Sequence, residues 1–292
     1  MRIGIFGSDY QAGKQSSIKN LFDRLFEYDA EIWVEKHFYN YLSKTFAYTP
    51  KIAGLINQEL FPLDIVLSLG GDGTFLRTSG WVGKQSIPIL GINTGRLGFL
   101  ADISTSEINQ TLDDLFGGHY QIEERSLLQL ESLSSMNEKD NCALNEIAIL
   151  KRDTSSMITI QTYLNNEFLT TYLADGLLLA TPTGSTAYNL SVNGPIILPQ
   201  SNNIVLSPVA PHSLNVRPLI IPENYKIRLK VESRSKNFLV ALDGRSKVFT
   251  SGSEFEVAKA RFSIKIIKRK NHSFYETLRN KLLWGTDVRS EN

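Results

Sequence analysis

An α/β domain on a mostly parallel sheet, followed by a β-rich, mainly antiparallel domain, is the fold class this sequence predicts. Two observations carry the prediction. Over the first hundred residues, short apolar runs alternate with stretches of helical period. Beyond about residue 120 the period changes to two, and helical spacing returns near the C-terminal end. Alternating strand and helix build a Rossmann-like parallel sheet covered by helices, whereas period two marks antiparallel strands with one face buried. The expected division is residues 1–103 and 104–272, with a C-terminal helix within 273–292 docking back on the first domain.

"RIGIFG" opens the chain as a short buried strand. "SIKNLFDRLFEY" places Ile18, Leu21, Phe22, Leu25 and Phe26 at helical spacing, which predicts one apolar face. "DIVLSLG" and "IPILGIN" are further apolar strands, and ligands gather at the C-terminal ends of such strands. "STSEINQTLDDLF" starts with a helix signature, Ser104 as cap and Glu107 three residues on. Asn165-Asn166 sits between "MITIQTYL" and "FLTTYL" as a hairpin turn. "KIRLKVE" alternates Ile227, Leu229 and Val231 with charged residues, and "RFSIKI" does the same with Phe262, Ile264 and Ile266. "SFYETLRNKLLWG" reads as a helix with Phe274, Leu278 and Leu282 spaced by four.

Composition excludes several classes. With 292 residues, 42% of them hydrophobic and 21% charged, the chain can bury sizeable cores. A net charge of +1 gives no overall field for nucleic acid or an anionic membrane, so neither partner is expected. The single Cys142 cannot form an internal disulfide, which points to a reducing compartment, and by itself reads as a small buried hydrophobe. The N-terminus lacks a signal peptide's apolar core and no 18-residue apolar run occurs, so a cytoplasmic location is expected. His37, His119, His212 and His272 show no metal-ligand spacing, and no protein metal site is predicted.

"GSDYQAGKQ" imitates a P-loop, but five residues separate Gly7 from Gly13-Lys14, and Gln15 replaces the metal-binding hydroxyl. "SLGGDGTFLRT" is more informative. Gly70, Gly71 and Gly73 let the backbone approach a bulky anion, with Asp72 among them and the cation Arg77 one turn on. The same Asp-Gly pair also suits a tight turn. Asn145 and Glu146 interrupt the apolar "ALNEIAIL"; they either read a nucleoside edge and diol or face water from an edge strand. In "ADGLLLATPTGSTAYNLS", Pro182 ends a strand, and Thr183, Gly184, Ser185 and Thr186 present hydroxyls and amides where a helix would begin. Tyr188 offers a flat face for a ring, or a core contact, and Asp175-Gly176 is a turn or a carboxylate for a ligand.

Taken together, "GGDGT", the later "NE", "DGLLLATPTGSTAY" and the terminal "LRNKLLWG" resemble the NAD kinase family of bacterial type, in the same order across most of the chain. "NTGRLGFLAD" is similarly placed to a segment of that family. The resemblance implies transfer of the γ-phosphoryl group of ATP, with a divalent metal such as magnesium, to the adenosine ribose 2′-hydroxyl of NAD. It makes Asp72 the catalytic acid/base residue and sets Gly73 against the dinucleotide. Asn145 and Glu146 would hold adenine and ribose groups. Thr186, Ala187 and Tyr188, with Ser191 nearby, would line the adenosine pocket. Asp175 and Ala210 would face the nicotinamide end, partly across a subunit boundary, so a homodimer or homotetramer is implied. Arg245 of "LDGR" would supply a further contact. An aspartate with an ordinary pKa of about 3.9 is a weak base, and in a loose phosphoryl-transfer transition state the proton can leave late. Asp72 is therefore expected to orient the hydroxyl more than to deprotonate it. Lipid kinases that share GGDGT, and a non-catalytic NADP(H) sensor, are the alternatives. The polar Asn-Glu and Thr-Gly-Ser-Thr sets argue against the first, and the Asp72 carboxylate against the second.

Overall fold

The protein is seen here as a computed structural model that describes residues 1–9, 13–57, 62–132, 141–153, 156–270 and 273–285. Residues 10–12 of the P-loop-like stretch, and His272, lie outside the described residues. The chain forms two compact units, one of Met1–Glu124 with Ile264–Asn292, the other of Arg125–Ser263.

The first unit holds strands β1 (Arg2–Gly7), β2 (Glu31–Glu35), β3 (Gly54–Ile56), β4 (Ile65–Leu69), β5 (Ile89–Asn93) and β6 (Ile103–Ser104). Its helices are α1 (Gln15–Glu27), α2 (Lys36–Phe46), α3 (Asp72–Val82) and α4 (Ile108–Phe116). The strands pair in parallel in the order β6-β5-β4-β1-β2-β3, with Ile5 opposite Leu67 and Leu67 opposite Leu90. β4 and β5 are buried along their whole length, as expected of a parallel sheet covered on both faces. α1 packs Ile18, Leu21, Phe22 and Leu25 into the core, but Phe26 departs from the expected face. It is 58% exposed, with the Lys51 ammonium over its ring. The capping box forms: Glu107 Oε2 accepts the Ser104 amide at 3.0 Å and its hydroxyl at 2.8 Å. A 3-10 turn, Thr105–Glu107, then leads into α4.

The second unit is antiparallel. It contains most of β7 (Tyr120–Ser132), then β8 (Cys142–Ala143), β9 (Glu146–Lys151), β10 (Ile158–Leu164), β11 (Glu167–Ala174), β12 (Gly176–Ala180) and one turn of helix, α5 (Tyr188–Ser191). β13 (Asn203–Val209), β14 (Leu219–Pro222), β15 (Ile227–Ser233), β16 (Asn237–Leu242), β17 (Arg245–Thr250) and the start of β18 (Ser253–Arg269) complete it. One sheet runs β14-β13-β12-β9-β16-β17, while β11, β10, β15 and β18 pair in sequence in another. Ile147 and Ile149 of the first sheet and Ile227, Leu229 and Val231 of the second share one core, so the period-two residues point inward. The β10–β11 turn has Asn165 at φ 49° and Asn166 at φ 71°, the two positive φ values that a primed hairpin turn requires. Cys142 is only partly buried. The chain re-enters the first unit within β18, where Ile266 pairs in parallel with Ile89, and ends in α6 (Phe274–Leu282).

Candidate active site

In the first unit, β4 runs into the glycine loop and α3 begins at Asp72 itself. Gly70 adopts φ +154°, and a Cβ there would lie 2.3 Å from Thr74 Oγ1, so the loop closes only with glycine. The Asp72 carboxylate faces a second loop, that of "NTGRLGFLAD". Oδ2 accepts the Phe99 amide at 3.0 Å, and Oδ1 accepts those of Leu100 and Ala101 at 3.0 and 3.1 Å. Lys281 of α6 lies 3.3 Å from Oδ2. Asn93, at the end of β5, shapes the amide loop: its Oδ1 accepts the Gly95 amide at 2.6 Å and its Nδ2 donates to the carbonyls of Arg96 and Ala101. Gly98 lets carboxylate and loop meet, since a Cβ there would fall 2.1 Å from Asp72 Oδ1 and 2.8 Å from the Ala101 carbonyl. The carboxylate is thus fixed in orientation while its side chain stays 29% exposed.

Gly73 is exposed, with open space where a side chain would be. Arg77 donates to the Gly7 carbonyl at 3.1 Å. It borders a cavity of about 570 Å³ that Phe6, Lys36, His37, Asn40 and Trp81 also line. The cavity lies by the C-terminal ends of β1 and β2, where α/β sheets bind ligands.

In the second unit, Asn145 and Glu146 lie at the start of β9 beside the end of β12, with Glu146 opposite Ala180. Both are buried. The Thr181 amide donates to the Asn145 carbonyl at 2.9 Å, and its hydroxyl to the Leu144 carbonyl at 2.6 Å. Gly184 presses on this pair so closely that a Cβ would lie 2.0 Å from the Asn145 oxygen. Burial, and then the Asp243 charge, push the Glu146 carboxyl up to about 7 against the Tyr188 amide, which favours the anion. Its Oε2 is buried without a hydrogen-bond partner in the structure, an arrangement that suits a donor on a ligand.

Where a helix was expected, Thr183–Thr186 make one 3-10 turn, and Ala187 breaks the chain away from helical geometry before α5. The turn spends its polar groups locally. The Ser185 hydroxyl donates to the Pro182 carbonyl at 2.7 Å and accepts the Ile197 amide at 3.0 Å, so it has no spare hydrogen for a ligand. Thr183 is buried, Thr186 and Ala187 are partly so, and Tyr188 and Ser191 are exposed. Asp175 and Ala210 lie at the opposite end of β12, about 14 Å along a five-residue strand. Asp175 pairs with Lys151 at 2.7 Å, and Ala210 takes φ 42°. Arg245 donates to the carbonyls of Cys142 and Leu242.

Sequence reasoning missed Lys281, Gly98, the Phe99–Ala101 amides and Asp243. The last accepts the amides of Leu144, Asn145 and Glu146 at 2.7, 2.8 and 3.2 Å. It also missed Asn189, fully buried, which accepts from Ser207 Oγ and donates to the Ser185 and Pro195 carbonyls. Its one sequence signal was an asparagine in a stretch otherwise read for hydroxyls.

A two-part α/β and antiparallel β fold, with an amide-held aspartate beside a glycine loop at a strand end, defines a phosphotransferase-like nucleotide-binding architecture. Comparison narrows it. Residues 14–120 match the family model for the ATP-NAD kinase N-terminal domain and residues 144–269 that for its C-terminal domain. The NAD kinase of Bacteroides fragilis is 52% identical over 99% of this chain and 100% of its own. That of Porphyromonas gingivalis is 46% identical over 99% of each. The crystal structure of an Archaeoglobus fulgidus NAD kinase in complex with ATP superposes with TM-score 0.78 at 25% identity, covering 97% of this chain and 99% of that one. Yeast NADH kinase complexed with NADH shares the fold with TM-score 0.89 at 24% identity, covering 100% of this chain and 90% of that one. The chain belongs to the NAD kinase family.

Proposed function

We propose that this enzyme transfers the γ-phosphoryl group of ATP to the adenosine ribose 2′-hydroxyl of NAD. The observation that carries the reading is the Asp72 carboxylate, aimed by three backbone amides beside a glycine loop able to admit a phosphate chain. Asp72 orients the attacking hydroxyl and takes its proton late. Gly73 and Arg77 contact the dinucleotide or the donor phosphates. Asn145 and Glu146 bind adenine and the ribose, the free Oε2 of Glu146 accepting from the diol. Thr183, Gly184 and Ser185 shape the turn that presents Thr186, Ala187 and Tyr188 to the adenosine, with Ser191 beside them. Asp175 and Ala210 serve the nicotinamide end, and Arg245 steadies the start of the Asn-Glu strand.

A divalent ion, magnesium by our reading, arrives on the phosphates of ATP. We read that metal as held mainly by substrate oxygens; no group of three or more potential metal-ligating His, Cys, Asp or Glu side chains occurs among the described residues. When bound, the ion neutralises phosphate charge. We assign dinucleotide recognition to the 104–272 region and the acid residue to the 1–103 region. We assign a homodimer or homotetramer, a reading supported by the placement of Asp175 and Ala210 far along β12 from the Asn-Glu pair. We place the enzyme in the cytoplasm; among the described residues no helix is long and apolar enough to cross a membrane.

The test is direct: purified protein with magnesium-ATP and NAD, followed by an NADP-specific dehydrogenase. NADP should form with wild type and almost none with Asp72→Asn, while NAD binding persists in the variant. Near-normal turnover of Asp72→Asn would remove Asp72 from the mechanism.

A further inference from the structure

A carboxylate offers about four lone-pair positions. On Asp72 all four are taken: Oδ1 by the Leu100 and Ala101 amides, Oδ2 by the Phe99 amide and the Lys281 ammonium. A hydroxyl that is to give its proton to Asp72 must displace one of these donors. Three of them are backbone amides of a loop fixed by Asn93, so they stay. Lys281 is different. It sits on a flexible stem, and its side chain is 30% exposed.

The contact does little for stability. An ion pair at 3.3 Å between partners 30% and 29% exposed belongs to the class whose contribution is small. A lysine in the last turn of a helix also complements the helix dipole, which explains a cation there but not its aim. The aim is built by packing. α6 is capped by Ser273, whose hydroxyl accepts the Glu276 amide at 3.2 Å, and it is anchored by buried Thr277 and Leu278. The Phe274 ring lies 6.0 Å from that of Phe99, and the Lys281 ammonium sits 4.6 Å from the centroid of the same Phe99 ring. Phe99 thus both donates its amide to Asp72 and guides the lysine toward it.

Resting on the kinase reading above, we propose that Lys281 is the phosphate-binding lysine that the glycine loop itself lacks. Before the acceptor arrives, its ammonium holds Asp72. As the acceptor hydroxyl takes that place on Oδ2, the ammonium swings to the γ-phosphoryl oxygens. The 2′-oxygen then bonds to the γ-phosphorus, the bond to the β–γ bridging oxygen breaks, and ADP leaves with that electron pair. The hydroxyl proton passes to Oδ2 and on to solvent. Lys281 keeps its proton throughout and offsets the charge on the transferring group, where a placed cation is most effective.

The experiment compares full-length wild type, Lys281→Met, Lys281→Arg and, as a control on the exposed side of the same helix, Arg279→Met. Turnover of NAD with magnesium-ATP, direct calorimetric binding of NAD, and melting temperature are measured for each. Lys281→Met should lose about 100-fold in kcat and show a raised KM for ATP. It should bind NAD as tightly as wild type or more so, because no ammonium need leave Asp72. Lys281→Arg should recover part of the rate, and Arg279→Met should match wild type. A Lys281→Cys variant alkylated with 2-bromoethylamine should regain activity, with wild type treated in parallel to account for Cys142. A kcat for Lys281→Met within about threefold of wild type overturns the proposal. So does loss of NAD binding together with a fall in melting temperature, since that marks a merely structural lysine. Silence of wild type itself overturns the kinase reading, and this inference with it.

Discussion

Asp72 and Asp243 are held alike, and in the function proposed above they are used differently. Each carboxylate accepts three consecutive backbone amides, Phe99 to Ala101 in the first unit and Leu144 to Glu146 in the second. Around Asp72 the fourth donor is a displaceable lysine, and the group keeps contact with solvent. Burial pushes the Asp243 carboxyl above the ordinary range, against the opposing effect of its amides and Arg245. The same three-amide grip leaves a usable oxygen in one place and fastens the entry to a strand in the other. What separates them is the fourth donor to Asp72, the Lys281 ammonium, not the three-amide grip.

Substitutions should divide along that line. Asp72→Asn should cost the most, about 1000-fold in turnover, or about 4 kcal/mol of barrier, with little change in melting temperature. Asp243→Ala should act on the fold, lowering unfolding free energy by about 3 kcal/mol in a urea titration because buried amides lose their acceptor. If Asp243→Ala unfolds like wild type, the two grips are not comparable. Gly98→Ala tests the fit around Asp72: its Cβ would collide with Oδ1, and turnover should fall about 100-fold while secondary structure by circular dichroism stays.

Glu146 sharpens the comparison through pH. Its folded-state pKa is raised to about 7 from 4.5, so between these values the folded protein holds a proton that the unfolded chain has lost. The stabilisation is complete below the unfolded pKa and is lost as pH rises through the folded one. Relative to Glu146→Gln, wild type should lose about 3 kcal/mol of stability between pH 4.5 and 8. Equal curves for the two proteins would remove the burial argument. The smallest effect should come from Ser104→Ala, about 1 kcal/mol of stability from the broken capping box and no change in turnover.

The fold was legible because burial writes itself as period. Mostly apolar β4 and β5, buried throughout, and the alternation of Ile227, Leu229 and Val231, could be read directly. Phe26 was misread because it lies one position beyond a stripe already complete at Leu25. At Thr183 the proline and hydroxyls marked a start correctly, but Ser185 turned its hydroxyl inward to its own loop, and the helix stopped after one turn. The glycine loop was visible as a site feature. Its partners were not, because main-chain amides carry no residue identity and Lys281 lies 209 positions from the acid it meets.

That anonymity has an evolutionary side. Since the donors to Asp72 are main-chain amides, most replacements of Phe99, Leu100 or Ala101 leave the donated hydrogens in place; only proline deletes one. The orientation of the acid is therefore buffered against sequence drift at the very positions that create it. Such drift is free to adjust what surrounds the acid without disarming it.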